Sequence, residues 1–481
     1  MTTSRSTLMG LLTGLLLAVG LGTVGCASAS RDSGFGDIER LAAERTGKRV
    51  AWNQGSSEDR AADEAVGALL ARELDADAAV QVALLNNRDL QATFEELSVA
   101  QSELVAAGML RNPVFNADIR FGTSGGGTGV DLSVVQDFLD VFAIPLRRRA
   151  AGSAFEVAKL RVAGAVLGLA GETRRAFYSV QAARQRVEVR QTAALAADAS
   201  YDYARRLHTA GNINDLDLSN EQAAFEQSRL DLAAAEADVA QARERLNVLL
   251  GVWGQRTQWT IAGRLSDPPE PGDAAAPEGL ERRAVEKSLD LAAGRQTVEG
   301  AAARLGLARP LGVFEGASVG ATAERETEGG WSVGPAFSLP IPLFNQGQPA
   351  TSAAASELRR ARQRYAALAV DVRSGARAAW SRLDAARSRA AYYKQVILPL
   401  RQRIVEQTQR QFNAMQVSPF QLLSARQQQV EAGGQYVDAL LEYWTARTDY
   451  DLILNGKLPD HAGASAAPPR MRMQGNGAQH D

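Results

Sequence analysis

The sequence predicts a mixed alpha/beta membrane protein that is internally duplicated: a long alpha-helical coiled-coil barrel, with four transmembrane β-strands per chain completing a shared trimeric twelve-stranded β-barrel. Three observations predict it. Two very long helix-forming stretches, 150–250 and 350–454, are each folded once, near Gly211-Asn212-Ile213-Asn214 and near Met415-Gln416-Val417-Ser418. Beyond the first fold Leu218, Phe225, Leu232, Val239 and Leu246 recur every seven residues, as do Leu423, Val430, Val437 and Trp444 beyond the second, which is the stripe of a coiled coil present twice. Ahead of each stretch lie two short segments that alternate apolar and polar residues.

Residues 1–25 read as a secretion signal, with Arg5 in its basic start and Leu8 to Val19 as its apolar run. That run is too short for a permanent helical span. Cys26 is the one cysteine of the chain, so no internal disulfide can form. A lone thiol directly after such a signal resembles a bacterial lipobox, in which the thiol is acylated and becomes the new N-terminus. Thr23 stands where such boxes usually carry Leu, and the competing reading is an ordinary signal cut nearby. Ala27 and Ser28 resemble the sorting rule for outer-membrane lipoproteins. Residues 26–75 are then expected to be an acylated tether, extended apart from a helical turn or two at Ile38 to Ala43.

The first repeat is expected over 76–254. Val80, Leu84, Phe94, Leu97, Leu104 and Val105 lie mostly at helical spacings, until Gly108 and Asn112-Pro113 end the helix. A strand hairpin follows at 113–137: Phe115, Ala117, Ile119 and Phe121 alternate with Asn116, Asp118 and Arg120, and Val130, Leu132 and Val134 continue the pattern after a glycine-rich break. Strands of about ten residues with one apolar and one polar face suit a tilted crossing of a bilayer, although a half-buried hairpin in a soluble domain would look similar. Phe138 to Pro145 is expected to turn the chain, and Arg147 to Arg149 to meet phosphates at the membrane surface or neighbouring helices. The long helical hairpin then occupies 147–250, its first arm reaching roughly 90 Å at 1.5 Å per residue. Asp215 or Ser219 can cap the returning arm.

A Pro-rich crossover at 255–280 leads to the second repeat at 281–456: a helix, a strand hairpin at 312–340 built on Val313, Glu315, Ala317 and Val319 and on Trp331, Val333, Pro335, Phe337 and Leu339, and a helical hairpin at 350–454. The tail 457–481 reads as disordered. Four strands cannot close a barrel, and an open edge inside lipid would leave backbone groups unsatisfied, so several chains must share one barrel. A trimer gives twelve strands and a hollow axis.

Composition excludes several functions. A net charge of −2 offers no long-range field for nucleic acid. Three histidines, two of them in the tail, and a single cysteine make no metal cluster, and no P-loop or serine elbow is present. Neither an enzyme nor a cofactor is expected. Asp215 and Asp217, with Glu221 one turn on, stand where a tube would end, so three copies would form an acidic aperture favouring cations; the plainer reading is that they serve a helix start.

Several motifs carry a family resemblance: Ala83-Leu-Leu-Asn-Asn-Arg-Asp-Leu90 with Gly108-Met-Leu-Arg-Asn-Pro113, the turn Gly334-Pro-Ala-Phe-Ser-Leu-Pro-Ile-Pro-Leu-Phe-Asn-Gln-Gly347, and a last helix with Tyr450 and Asn455-Gly456. Together with the duplication they resemble the outer-membrane efflux channels typified by TolC, over roughly 75–456. The resemblance implies a homotrimer, lipid-anchored and barrel-inserted in the bacterial outer membrane with a long periplasmic extension. It also implies a periplasmic adaptor (membrane fusion) protein and an inner-membrane pump of the resistance-nodulation-division type as partners. The adaptor would meet Gly211, Asn212 and Ile213 and Met415, Gln416 and Val417. The leader is most similar to members exporting heavy-metal cations; multidrug efflux, type I secretion and a non-channel coiled-coil lipoprotein are the alternatives. The family's gate aspartates usually lie on the inner coil of the second half, where this chain reads Phe420-Gln-Leu-Leu-Ser424 and carries no acid.

Overall fold

A computed structural model describes residues 32–121, 128–137, 140–261, 263–269, 278–314, 317–326, 330–339, 341 and 343–459. The expected signal, Cys26, the centre of the crossover and nearly all of the expected tail lie outside the described residues. In chain order the elements are α1 (Phe35–Thr46), α2 (Ser57–Leu70), α3 (Ala76–Asn86), α4 (Arg88–Ala107), β1 (Val114–Phe121) and β2 (Thr128–Gln136). They continue with α5 (Asp140–Thr209), α6 (Asp215–Leu250), α7 (Leu280–Lys287), α8 (Leu289–Phe314), β3 (Ser318–Arg325) and β4 (Trp331–Ser338). The last are α9 (Gln348–Tyr392), α10 (Leu398–Asn413) and α11 (Pro419–Leu454), with a π-helical turn, Tyr393–Ile397, between α9 and α10. The described residues form two compact units, one drawn from 97–155 and 299–358, the other from 35–96, 156–298 and 359–459.

The first unit holds one antiparallel sheet in the order β1-β2-β3-β4. The register sorts side chains by face, because directly opposite residues in an antiparallel pair share a face. Phe115, Ala117 and Ile119 stand opposite Val134, Leu132 and Val130; Leu132 meets Ala323, Val134 meets Ala321, and these continue to Val333 and Pro335. Asn116, Asp118, Ser133, Asp131, Thr322, Glu324 and Ser332 fall on the other face. The β2–β3 pairing joins the two repeats, while β1 and β4 each keep an outer edge without a partner in the sheet.

The second unit holds the coiled-coil seams and three apolar clusters. One gathers Leu74, Val82, Phe177, Val180, Leu246, Leu250, Trp259 and Ile261 from both arms and the start of the crossover. Another packs Leu280, Leu291, Val372, Ala376, Tyr443 and Ile453 in the second repeat. The two clusters close on equivalent joints. Asn87 ends α3 and its Oδ1 accepts from Leu90 N at 2.8 Å; Ser288 ends α7 and its Oγ accepts from Leu291 N at 3.1 Å. Asn86 Nδ2 donates to the carbonyls of Leu250 and Gly251, and Leu289 N donates to the carbonyl of Gly456. Gly251 (φ 66°) and Gly456 (φ 97°) adopt the left-handed conformation that only glycine takes without strain.

The structure departs from the sequence reading in several places. Where an extended tether is expected, α1 and α2 fold, because Phe35 and Trp52 close on the fully buried Phe94 with ring centroids 5.1 and 6.4 Å from it. Burying side chains of this size stabilises by about 1.5–3 kcal/mol each, enough to order a polar segment around them. The expected single helix before β1 is broken at Asn87. Of the expected turn at Phe138 to Pro145, residues 138 and 139 lie outside the described residues and 140–145 form the start of α5, with Pro145 inside the helix. The expected strand at Val313 lies in α8, and β3 starts at Ser318. The cap of α6 is Asn214, whose Oδ1 accepts from Asp217 N at 2.8 Å, and not Asp215 or Ser219.

Candidate functional site

Two tips and the groove above them make up the site, all within the second unit. Both tips are built from one hydrogen-bond pattern. Asn212 N reaches back to Leu207 O and Gly211 N to His208 O; Gln416 N reaches Gln411 O and Met415 N reaches Phe412 O, all at 2.8 or 2.9 Å. This is the Schellman closure of a helix end, which needs a left-handed residue at its corner. Gly211 meets that need with φ 74°, whereas Met415 holds φ 56° with a side chain 94% exposed. A non-glycine corner costs about 1 kcal/mol or more, so an exposed methionine there is retained against its own conformational preference. The caps repeat as well: Asn214 for α6, and Ser418 for α11, where Oγ accepts from Gln421 N.

The three acids considered for an aperture separate. Asp215 is 95% exposed and lies 2.7 Å from His208 Nε2, tying the ends of α5 and α6. Asp217 is exposed in the first turn of α6. Glu221 is half-buried and accepts from Ser200 Oγ at 2.5 Å, facing the groove rather than the tip. Among the described residues no group of three or more His, Cys, Asp or Glu is placed to hold a metal ion.

The groove runs between the two helical hairpins and is lined by Arg190, Ser200, Glu221, Asp231, Phe420 and Glu431, among others. Arg190 on α5 stands 3.6 Å from Asp231 on α6 and 3.5 Å from Glu431 on α11, so one guanidinium connects both hairpins. Further up, Arg186 pairs with Asp438 at 2.6 Å and Arg175 with the buried Asp449 at 2.7 Å. The sequence reading missed this ladder. Its trace was there, since Arg175, Arg186 and Arg190 fall on one face of a helix and Glu431, Asp438 and Asp449 on one face of another.

In the first unit, the polar face of the sheet carries a row of three carboxylates, Asp118, Asp131 and Glu324, opposite one another in register. Arg120 lies beside it, 3.6 Å from Asp131 and 3.8 Å from Glu324. The apolar face exposes Phe115, Ile119, Phe121, Val333 and Phe337.

A sheet that is apolar on one exposed face and charged on the other, joined to duplicated helical hairpins, has known counterparts. Residues 79–252 match the family described as "Outer membrane efflux protein". That stretch is what the chain shares with the family. It is 25% identical over 384 residues to the cobalt-zinc-cadmium resistance protein CzcC of Cupriavidus metallidurans, covering 79% of this chain and 89% of that protein. It is 23% identical to the cation efflux system protein CusC of Escherichia coli O6:H1, covering 58% of this chain and 64% of that protein. Its fold matches that of the Campylobacter jejuni CmeC outer membrane channel with a TM-score of 0.66 at 15% identity, over 89% of this chain and 94% of the other. The outer membrane efflux family is one of channels, not enzymes. No helix among the described residues is long and apolar enough to cross a membrane.

Proposed function

We propose that the chain is the outer-membrane exit duct of a tripartite efflux system and that its cargo is heavy-metal cations. One observation carries the duct: a four-stranded sheet whose faces are segregated into apolar and charged, with both outer edges unpaired. Lipid satisfies the apolar face and water the charged one, and the edges are satisfied only by other copies. Three copies make a homotrimer with a twelve-stranded barrel and a hollow helical extension into the periplasm. The cargo is argued from the relatives, one a cobalt-zinc-cadmium resistance protein and one a cation efflux protein.

On this reading Cys26 carries the acyl anchor, and residues 1–25 are removed. Gly211, Asn212 and Ile213 and Met415, Gln416 and Val417 are the tips that meet a periplasmic adaptor, which links the duct to an inner-membrane pump of the resistance-nodulation-division type. Asp215 and Asp217 charge the rim of the first tip, and Glu221 the groove above it. The chain supplies a path and a gate, and no covalent chemistry. Single-channel conductance of the purified protein in planar bilayers, with its oligomeric mass measured in the same detergent, tests the duct. Discrete cation-sensitive steps from a trimer are expected; a monomer with no membrane affinity would overturn the shared barrel. Deletion and complementation under zinc, cobalt and cadmium stress tests the cargo, and complementation that restores only resistance to organic drugs would replace it.

A further inference from the structure

Residues 264–267 of the crossover between the repeats are bound to helices of both. Arg264 Nη2 lies 2.8 Å from Glu188 Oε2 on α5. Leu265 is 5% exposed, buried among Ala182, Ala390, Val437 and Leu440. The carbonyl of Ser266 accepts from Trp444 Nε1 at 2.9 Å. Asp267 accepts from Lys394 Nζ at 2.6 Å with one oxygen and from the Tyr436 hydroxyl with the other. Four consecutive residues thus hold α5, α9, α11 and the π-helical turn.

The turn they hold is the one irregular point in the descending arm of the second hairpin. Over Tyr393–Ile397 the helix widens, and Leu398 N donates to the carbonyl of Tyr393, five residues back. Pro399 explains it. A proline in a helix has no N–H for the carbonyl four residues earlier, here that of Gln395, and its ring presses on that carbonyl; the wider turn moves the carbonyl aside. The counterpart arm, α5, runs as an unbroken α-helix. A point where the ladder of helix hydrogen bonds is already interrupted bends at lower cost than one where it is intact.

We propose that Tyr393–Ile397 is the bending point of the second helical hairpin, and that Asp267 is the latch that keeps it unbent by gripping Lys394 of the turn and Tyr436 of the opposing arm. Releasing the latch lets α10 and the tip half of α11 move away from the first hairpin. The consequence for a gate rests on the duct reading; the hinge itself does not.

The test uses the full-length protein in detergent and in planar bilayers, comparing Asp267→Asn, Tyr436→Phe and Pro399→Ala with the parent. Backbone hydrogen exchange read by mass spectrometry over 393–400 is expected to quicken on the order of tenfold in Asp267→Asn, the scale of losing one charge-assisted hydrogen bond. Tyr436→Phe should show a smaller rise, and Pro399→Ala, which restores the missing N–H, should slow exchange. Time spent in the open state should rise and fall in the same order. Unchanged exchange in both Asp267→Asn and Tyr436→Phe overturns the latch, and should Asp267→Asn fail to assemble, Tyr436→Phe decides alone. Quickened exchange with no conductance in the parent or any variant would sink the duct reading and leave the hinge standing.

Discussion

Asp131 and Glu324 stand directly opposite one another across the β2–β3 pairing, two like charges facing at the junction of the repeats. Asp118 faces Asp131 from the other side, and Arg120 is the cation that bridges Asp131 and Glu324. Like charges opposite one another in a sheet are destabilising, so the arrangement depends on Arg120 and on water over that face. It places an excess of negative charge on what the duct reading makes the lumen.

Removing that cation should therefore change selectivity more than stability. Arg120→Gln is expected to raise cation over anion preference, read as the reversal potential across a salt gradient, and to weaken the sheet by roughly 0.2–1 kcal/mol. An unmoved reversal potential would show that this face does not line the ion path.

The tips can be separated into backbone and side-chain roles. Met415→Gly should stabilise the second tip by about 1 kcal/mol, because glycine adopts the left-handed corner without strain, yet should weaken capture of the adaptor if the exposed thioether side chain is the contact. Gly211→Ala should do the reverse, destabilising the first tip by a similar amount. Thermal melts with surface-bound adaptor would read both; equal capture by Met415→Gly would remove the methionine from the docking surface.

Arg190 connects both hairpins, and Arg190→Ala leaves Asp231 and Glu431 facing each other across the groove. Longer or larger open events are expected in single-channel records. The double variant Asp231→Asn with Glu431→Gln should reproduce the loosening without repulsion, and wild-type gating in both would mean the ladder is only a helix-packing device.

Acid should loosen the crossover. The Lys394 ammonium, and after it the Tyr436 hydroxyl, hold the Asp267 carboxyl below its ordinary range. The unfolded chain therefore takes up this proton first as pH falls. The contribution is complete above the ordinary carboxylate range and disappears as pH drops through the lowered value. Exchange over 393–400 should accelerate at that pH in the parent and show no such step in Asp267→Asn.

The closing joints predict a pair of matched stability losses. A Cβ on Gly456 would stand 2.1 Å from the carbonyl oxygen of Lys287, and one on Gly251 would stand 2.6 Å from that of Asn86. Both Gly456→Ala and Gly251→Ala should lower the melting temperature, Gly456→Ala more. A control such as Gly433→Ala, where nothing lies within 4 Å of the added Cβ, should not.

Much of this fold was legible because the heptad residues report one physical fact repeatedly: Leu218, Phe225, Leu232 and Val239 are half-buried and Leu246 is fully buried, as a seam requires. The tips were legible for the same reason, since the pattern stops and restarts around Gly211 and Met415. The folded segment at 35–70 was not, because its anchors Phe35, Trp52 and Val66 are scattered through polar sequence without a period. Val313 imitated a strand because alternation over a few residues also occurs at a helix end. Asp215 and Asp217 are two positions apart on α6, a rotation of about 200° that sets them on opposite sides. The latch on Asp267 joins residues 127 and 169 positions apart in sequence, and no local pattern announces it.

The two tips share a hydrogen-bond pattern and differ in the residue at the corner, a bare glycine in one and a projecting methionine in the other. In the proposed trimer they would alternate around the ring, giving six sockets of two kinds. A partner with six identical arms would meet them quasi-equivalently, and either its arms must flex between two fits or they must pair off, one gripping a methionine while its neighbour seats against open backbone.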